Sequence, residues 1–146
     1  MSLPIPSPLP TAYETAFRVL NPAFGTQKKE RRAVQRHRFR FVQRIASYDG
    51  EDSLARLRFF PVLCYDISRR GVSFLLPGRL GFSRLVVELG SNGDWMYFEA
   101  EVVNHRPLAN RREDTRLLGE LDPGDWVCRP VLIGCRFKSR LQLHPA

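Results

Sequence analysis

The sequence predicts an all-β domain, six or seven antiparallel strands closed into a small β-barrel, preceded by one short N-terminal helix. Three observations predict it. From His37 onward, short runs of β-forming residues are cut by turn residues, as in barrels and sandwiches. Asn92-Gly93 marks a tight hairpin, because both central residues of such a turn need positive φ. In the arm after that turn Phe98, Ala100 and Val102 alternate with Tyr97, Glu99 and Glu101, one face apolar and the other polar. No internal repeat and no long helical pattern competes, so closure into a small barrel is the expected way to remove the sheet edges. The 146 residues are 43% hydrophobic and 11% aromatic. That is material for a single core burying roughly 70% of the unfolded-chain surface.

Residues 1–27 read as a lead and a short helix. MSLPIPSPLP places proline at positions 4, 6, 8 and 10, which excludes helix there and favours an extended chain. Thr11 and Glu14 have capping-box spacing, and Tyr13, Phe17 and Leu20 recur at helical intervals until Asn21-Pro22. A helix of about ten residues is unstable alone, so its apolar stripe is expected to pack on the same chain's barrel and cover its open end. Residues 28–140 hold the barrel. A first strand starts at Phe39-Arg40-Phe41-Val42 and stops at Tyr48-Asp49-Gly50. A second runs from about Arg56 to Tyr65, with Pro61 at an edge or bulge where its missing N–H does no harm. A third is Val72 to Leu76, and Leu85–Leu89 and Trp95–Arg106 are the hairpin arms. A run near Arg116–Leu121 leads to the turn Asp122-Pro123-Gly124-Asp125, and Trp126–Phe137 closes the sheet. Residues 141–146 are a tail, and the stretch KSRLQLHPA is too short to add much.

The formal charge is +8, and +7 of it lies between Lys28 and Arg44, where eight cations face Glu30 alone. A field this local suits a discrete anionic ligand or a docking surface better than a long polyanion. Cys64, Cys128 and Cys135 are odd in number and lack ligand spacing, so reduced, mostly buried thiols are expected, with neither a disulfide framework nor a zinc site. His37, His105 and His144 are far apart and stand in no nucleophile, HExxH, Walker or GxGxxG motif. Cys64 with His105 could form a nucleophile pair only by meeting in space; the plainer reading of Cys64 is a small core residue. No catalytic residues, metal or cofactor are expected. No stretch approaches the ~20 apolar residues that span a bilayer, and the N-terminus lacks signal-peptide regions, which points to a cytoplasmic protein without membrane insertion.

Two stretches remain, RRAVQR at 31–36 and DISRRG at 66–71, each at a loop–strand junction. Arg32 and Arg36 can converge on one anion, and arginine suits this because its planar fork binds phosphate bidentately and its face stacks on a purine. In the second stretch Asp66 offers a carboxylate and Ser68 a hydroxyl. Gly71 allows positive φ or a close approach of the backbone to a ligand. A carboxylate within a basic pocket is unexpected for phosphate alone, but it fits the N1–H and N2–H₂ edge of guanine, whose O6 and N7 accept from arginine. The combination reads as a guanine nucleotide with its phosphates.

RRAVQR followed by DISRRG resembles the PilZ domain, whose signatures are RxxxR and (D/N)xSxxG, and both are matched without substitution. GVSFLL, EVVNHR and IGCRF are also similar to that family, over about residues 28–140. The resemblance implies a six-stranded antiparallel β-barrel of the split-barrel kind that binds the bacterial second messenger cyclic di-GMP at its rim and signals to an unidentified protein partner. It implies that Arg32 and Arg36 clamp the ligand, that Arg31 reaches the phosphates or a second intercalated ligand, and that Asp66 and Ser68 receive guanine and phosphate. Gly71 would shape the strand start, with Arg69 and Arg70 in support. The chain departs from the family in its long 107–130 stretch and in lacking the usual C-terminal helix. Two alternatives stand beside this reading. One is an RNA-binding basic barrel using Phe39, Phe41 and Tyr65, which needs those rings exposed. The other is a ligand-free scaffold of the same fold.

Overall fold

The computed structural model describes residues 10–20, 35–50, 53–78, 80–108 and 130–142. They form helix α1 (Ala12–Leu20) and strands β1 (His37–Arg38), β2 (Val42–Ser47), β3 (Phe60–Ile67), β4 (Gly71–Leu76), β5 (Arg84–Ser91), β6 (Asp94–Pro107) and β7 (Val131–Leu141). The sheet order is β1-β3-β2-β5-β6-β7-β4, and β4 pairs back onto β3. Six antiparallel strands, β2 to β7, therefore close into a barrel, and the two-residue β1 prolongs the line of β2 along β3. The expected run near Arg116–Leu121, the turn at 122–125 and the start of the last strand at Trp126 lie outside the described residues.

The hairpin at Asn92-Gly93 forms as expected. Ser91 pairs with Asp94, and the two turn residues have φ of 52° and 89°. That backbone twist matches the twist of the flanking strands. Alternation also holds in the long arm: Phe98 and Ala100 are buried, while Tyr97, Glu99 and Glu101 lie partly open on the outer face. On that face Arg84 pairs with Glu99, and Arg136 and Lys138 with Glu101, across neighbouring strands.

The first strand differs from expectation. Residues 39–41 leave the ladder between β1 and β2, although Phe39 N–H still donates to the Tyr65 carbonyl (3.1 Å) and Cys64 N–H to the Phe41 carbonyl (3.0 Å). Arg38 faces Asp66 while Val42 faces Leu63, so the segment holds one residue more than its partner, a bulge. β3 slips by one against β4 as well, between Cys64 and Asp66. The second strand starts at Phe60 and not at Arg56, because Leu54–Arg56 curl into a 3₁₀ turn. Pro61 pairs with Arg44, yet the Cys64–Phe41 bond fixes its neighbours Phe60 and Val62 as the residues that address β2. The proline nitrogen thus points toward the β4 side, ahead of the first β3–β4 pair, Leu63 with Leu75, where no donor is needed. At the other end KSRL is not an idle tail. Lys138–Leu141 extend β7, since the fourteen residues of β6 offer them a partner, with Phe98 opposite Arg140 and Tyr97 opposite Leu141.

The interior cluster includes Phe39, Ile45, Ile67, Phe74, Leu85 and Leu89. α1 joins it, so the helix does pack at home. Thr11 Oγ1 accepts from Glu14 N–H (3.1 Å) as the N-cap, and Glu14 and Arg18 complement the helix dipole. The deepest face is Ala12, Ala16 and Val19, with Tyr13 and Leu20 flanking it and Tyr13 stacked on Phe17. The stripe is thus rotated from the expected Tyr13–Phe17–Leu20, because alanines let the helix axis come closer than large rings do. Tyr13 N–H donates to Ser91 Oγ (3.3 Å), which fixes α1 at the barrel end carrying the β5–β6 turn.

Outside the barrel, β2, β5 and β6 are joined by a buried acid. Glu88 is 1% exposed, receives Arg44 Nε and Nη2 at 2.6 and 2.7 Å, and accepts from the Tyr97 hydroxyl at 2.7 Å. These bonds supply the partners a buried carboxylate requires. Burial, reinforced by the Glu88 acceptor, pushes the Tyr97 phenol up to about 12. A raised folded-state value means that this contribution to stability is complete below the ordinary phenol range and is lost as pH rises through about 12. Tyr97→Phe is therefore expected to flatten the alkaline limb of denaturation curves measured between pH 9 and 12, and the wild-type chain to show one phenol ionising at the upper end of that range by ultraviolet absorption.

Candidate functional site

The turn between β3 and β4 is built by Ser68 and Gly71. Ser68 N–H donates to the Gly71 carbonyl (2.8 Å), and Ser68 Oγ accepts from the N–H groups of Arg70 (3.2 Å) and Gly71 (3.3 Å). Arg69 and Arg70 are left exposed at the tip. The Arg70 carbonyl in turn accepts from Phe137 N–H (2.7 Å), tying the turn to β7. A Cβ on Gly71 would stand 1.8 Å from the Cys135 carbonyl oxygen. The expectation for Gly71 is corrected in one respect: its φ is not positive, and the close approach it permits is by the backbone of β7. Ser68 is 8% exposed, and its oxygen is engaged by the turn.

β1 lies against the end of β3, with His37 opposite Ile67 and Arg38 opposite Asp66. Arg36 immediately precedes β1, as Ser68 immediately follows β3, just beyond the His37–Ile67 pair. The structure thus brings Arg36 to the same barrel end as Asp66, Ser68, Arg69, Arg70 and Gly71, although thirty residues separate the two stretches. Arg31 and Arg32 lie outside the described residues.

Phe39 is fully buried and Phe41 packs against the same core, their rings 5.0 Å apart. The residues alternating with them, Arg36, Arg38 and Arg40, consequently share the outer face. Asp66 is on that face too. Its Oδ1 accepts from Ser73 Oγ at 2.6 Å, and Ser73 stands between the core residues Val72 and Phe74, so its own side chain points outward. Asp66 N–H donates to the same hydroxyl (3.3 Å), which fixes the carboxylate's orientation. Next to Asp66, Tyr65 belongs to an outer apolar cluster with Leu63, Leu75, Leu108 and Leu132, and Arg40 lies over its ring with the guanidinium carbon 3.8 Å from the centroid.

Arg38, Arg40, Tyr65 and Ser73 are thus site neighbours that motif spacing did not single out. Strand period would have found the two arginines, since positions 36, 38 and 40 alternate with Phe39 and Phe41. Nothing local marks Ser73, whose role depends on the β3–β4 register. Of the three aromatics that an RNA platform would use, Phe39 and Phe41 face inward and Tyr65 outward.

Elsewhere, burial pushes the Cys64 thiol far up and the Cys135 thiol to about 12, which removes both as nucleophiles near neutral pH. Both are free cysteines, whereas Cys128 lies outside the described residues. His105 is exposed on β6. Among the described residues no group of three or more His, Cys, Asp or Glu side chains could hold a metal ion, and no helix is long and apolar enough to cross a membrane.

The turn geometry has two measurable consequences. Gly71→Ala is expected to lower unfolding free energy by about 3 kcal/mol or more, as overpacking against rigid backbone does. Gly78→Ala, where an added methyl meets nothing within 4 Å, should leave the denaturation midpoint unchanged. Ser68→Ala should cost about 1 kcal/mol in the same measurement, before any ligand is considered, because two backbone donors lose their acceptor.

No protein-family model matches this chain, and no curated protein and no solved structure does either.

Proposed function

We propose that the chain is a receptor of the PilZ type that binds cyclic di-GMP on the outer wall of the barrel, beside the β3–β4 turn. The observation that carries the reading is the pairing of β1 with the end of β3, which sets Arg38 opposite Asp66 and brings Arg36, the residue before β1, to the end of β3 that leads into Ser68. A dianionic guanine dinucleotide needs guanidinium groups for its phosphates and ring faces and one carboxylate for its base edge. Arg36, Arg38, Arg69 and Arg70 offer the first, and Asp66, steadied by Ser73, offers the second. Arg32 completes the clamp with Arg36, and Arg31 extends it toward the phosphates.

In this reading the protein is a sensor and not a catalyst. The arm from Lys28 to His37 carries like charges that repel one another until the dianion neutralises them. Each charge-assisted arginine–phosphate contact contributes about 1.5 to 3 kcal/mol, so two or three suffice to hold the arm against the barrel wall. α1 is anchored at this same barrel end through Ser91, so a ligand-bound arm would change the surface that α1 and the turn present to a protein partner.

Calorimetric titration with cyclic di-GMP tests the reading. Arg36→Ala is expected to abolish binding while leaving the apo melting curve in place, since Arg36 is exposed. Unaltered affinity rejects the clamp. Repeating the wild-type titration across salt concentrations separates ligands: a dianion gives a shallow log–log slope, and single-stranded RNA, contacted at many phosphates, a steep one.

A further inference from the structure

We infer that Arg40, laid flat on Tyr65, is an additional phosphate-binding residue of this site, one that neither sequence stretch contains; the inference rests on the nucleotide reading above. Three observations carry it. The guanidinium is stacked on the Tyr65 ring at 3.8 Å. Its Nε and Nη1 are both buried, and neither has a hydrogen-bond partner among the described residues. It shares the outer face of its segment with Arg36 and Arg38, and the ring it covers belongs to the residue preceding Asp66.

A guanidinium cannot shed its charge, and burying its donors without acceptors is among the costlier things a fold does. Arginine normally escapes that cost by extending its head into water. Here the stack on Tyr65 holds the head against the wall. Each hydrogen-bonding edge of a guanidinium, the Nε–Nη2 side and the Nη1–Nη2 end, includes one of the two unsatisfied donors, so whichever edge meets an oxyanion, one orphaned N–H is relieved. The acid nearest in the strand register, Asp66, already has Oδ1 engaged by Ser73. A phosphodiester of the bound nucleotide supplies two non-bridging oxygens in the planar geometry the fork requires, and the Arg40 head must turn on its stem to present an edge that is covered in the ligand-free chain. Along an extended strand Arg40 lies about 13 Å from Arg36, further down the barrel wall, so its contact adds to the clamp without duplicating it.

The test is a titration of the full chain with cyclic di-GMP, using wild type, Arg40→Lys, Arg40→Leu, Tyr65→Phe and Tyr65→Leu. Arg40→Lys keeps the charge and loses the planar fork, and it is expected to weaken binding about tenfold or more. Tyr65→Phe keeps the stack and should bind like wild type, whereas Tyr65→Leu should weaken binding in the same direction as Arg40→Lys. Apo melting supplies the second readout. Because Arg40 is unsatisfied without ligand, Arg40→Leu should leave the apo midpoint at or above the wild-type value while shrinking the shift that ligand produces. Wild-type affinity in Arg40→Lys overturns the inference alone, as does an apo midpoint that falls in Arg40→Leu with the ligand shift intact. Absence of binding by the wild-type chain overturns the nucleotide reading and this inference with it.

Discussion

The geometry of this protein depends on β3 being hydrogen-bonded along both edges. On one side it pairs with β1 and β2, on the other with β4, and this double pairing turns an open sheet into a closed wall. It also determines which parts of the sequence meet. The segment leading into β2 must run antiparallel to the end of β3, so Arg36, His37 and Arg38 arrive beside the turn that joins β3 to β4. Neither the charge cluster nor the turn chemistry is needed to explain that meeting. It follows from backbone pairing, and the tight seat of Gly71 against the Cys135 carbonyl holds the third strand of the corner, β7, in place.

Two layers of interaction hold the wall. Inside, alternation delivers aromatic and aliphatic side chains to one continuous cluster, which α1 completes with small residues. Outside, the wall is not merely wetted. Glu88 is as buried as the core and is satisfied by Arg44 and Tyr97. Gln43, on the inward face of β2 with Ile45, uses both ends of its amide on the main chain of Gly90, accepting from its N–H (2.6 Å) and donating to its carbonyl (3.2 Å). That amide prolongs the β2–β5 ladder past its last backbone pair. Polar groups so placed fix register, because a slip of one residue would strand each of them without a partner.

What could be read from the sequence was whatever is encoded over a few residues. The Asn92-Gly93 turn, the alternation of Phe98 and Ala100 with their polar neighbours, and the Thr11 cap are local, and the structure agrees with each. The harmless place of Pro61 was legible for the same reason, since the missing donor restricts where it can lie. Strand limits were less legible. The bulge at 39–41 and the extension of β7 through Lys138–Leu141 depend on what the neighbouring strand offers. For the candidate site, types of residue were visible and their jobs were not. Ser68 and Gly71 build the turn, and Asp66 is steadied by Ser73, a residue that only the β3–β4 register identifies. The isolation of Arg40's donors has no signature in the sequence at all.

Arg36, Arg38 and Arg40 share their backbone with Phe39 and Phe41, so outward and inward duties are interleaved residue by residue along one thread. Exchanging an outward side chain leaves the interior untouched, which frees that surface to drift toward new specificities under selection. Removing or inserting one residue between Arg36 and Val42 has the opposite character. It would transpose the two sets, driving guanidinium groups into the hydrocarbon and phenyl rings into water. A lineage carrying this segment can therefore alter its letters far more readily than its length.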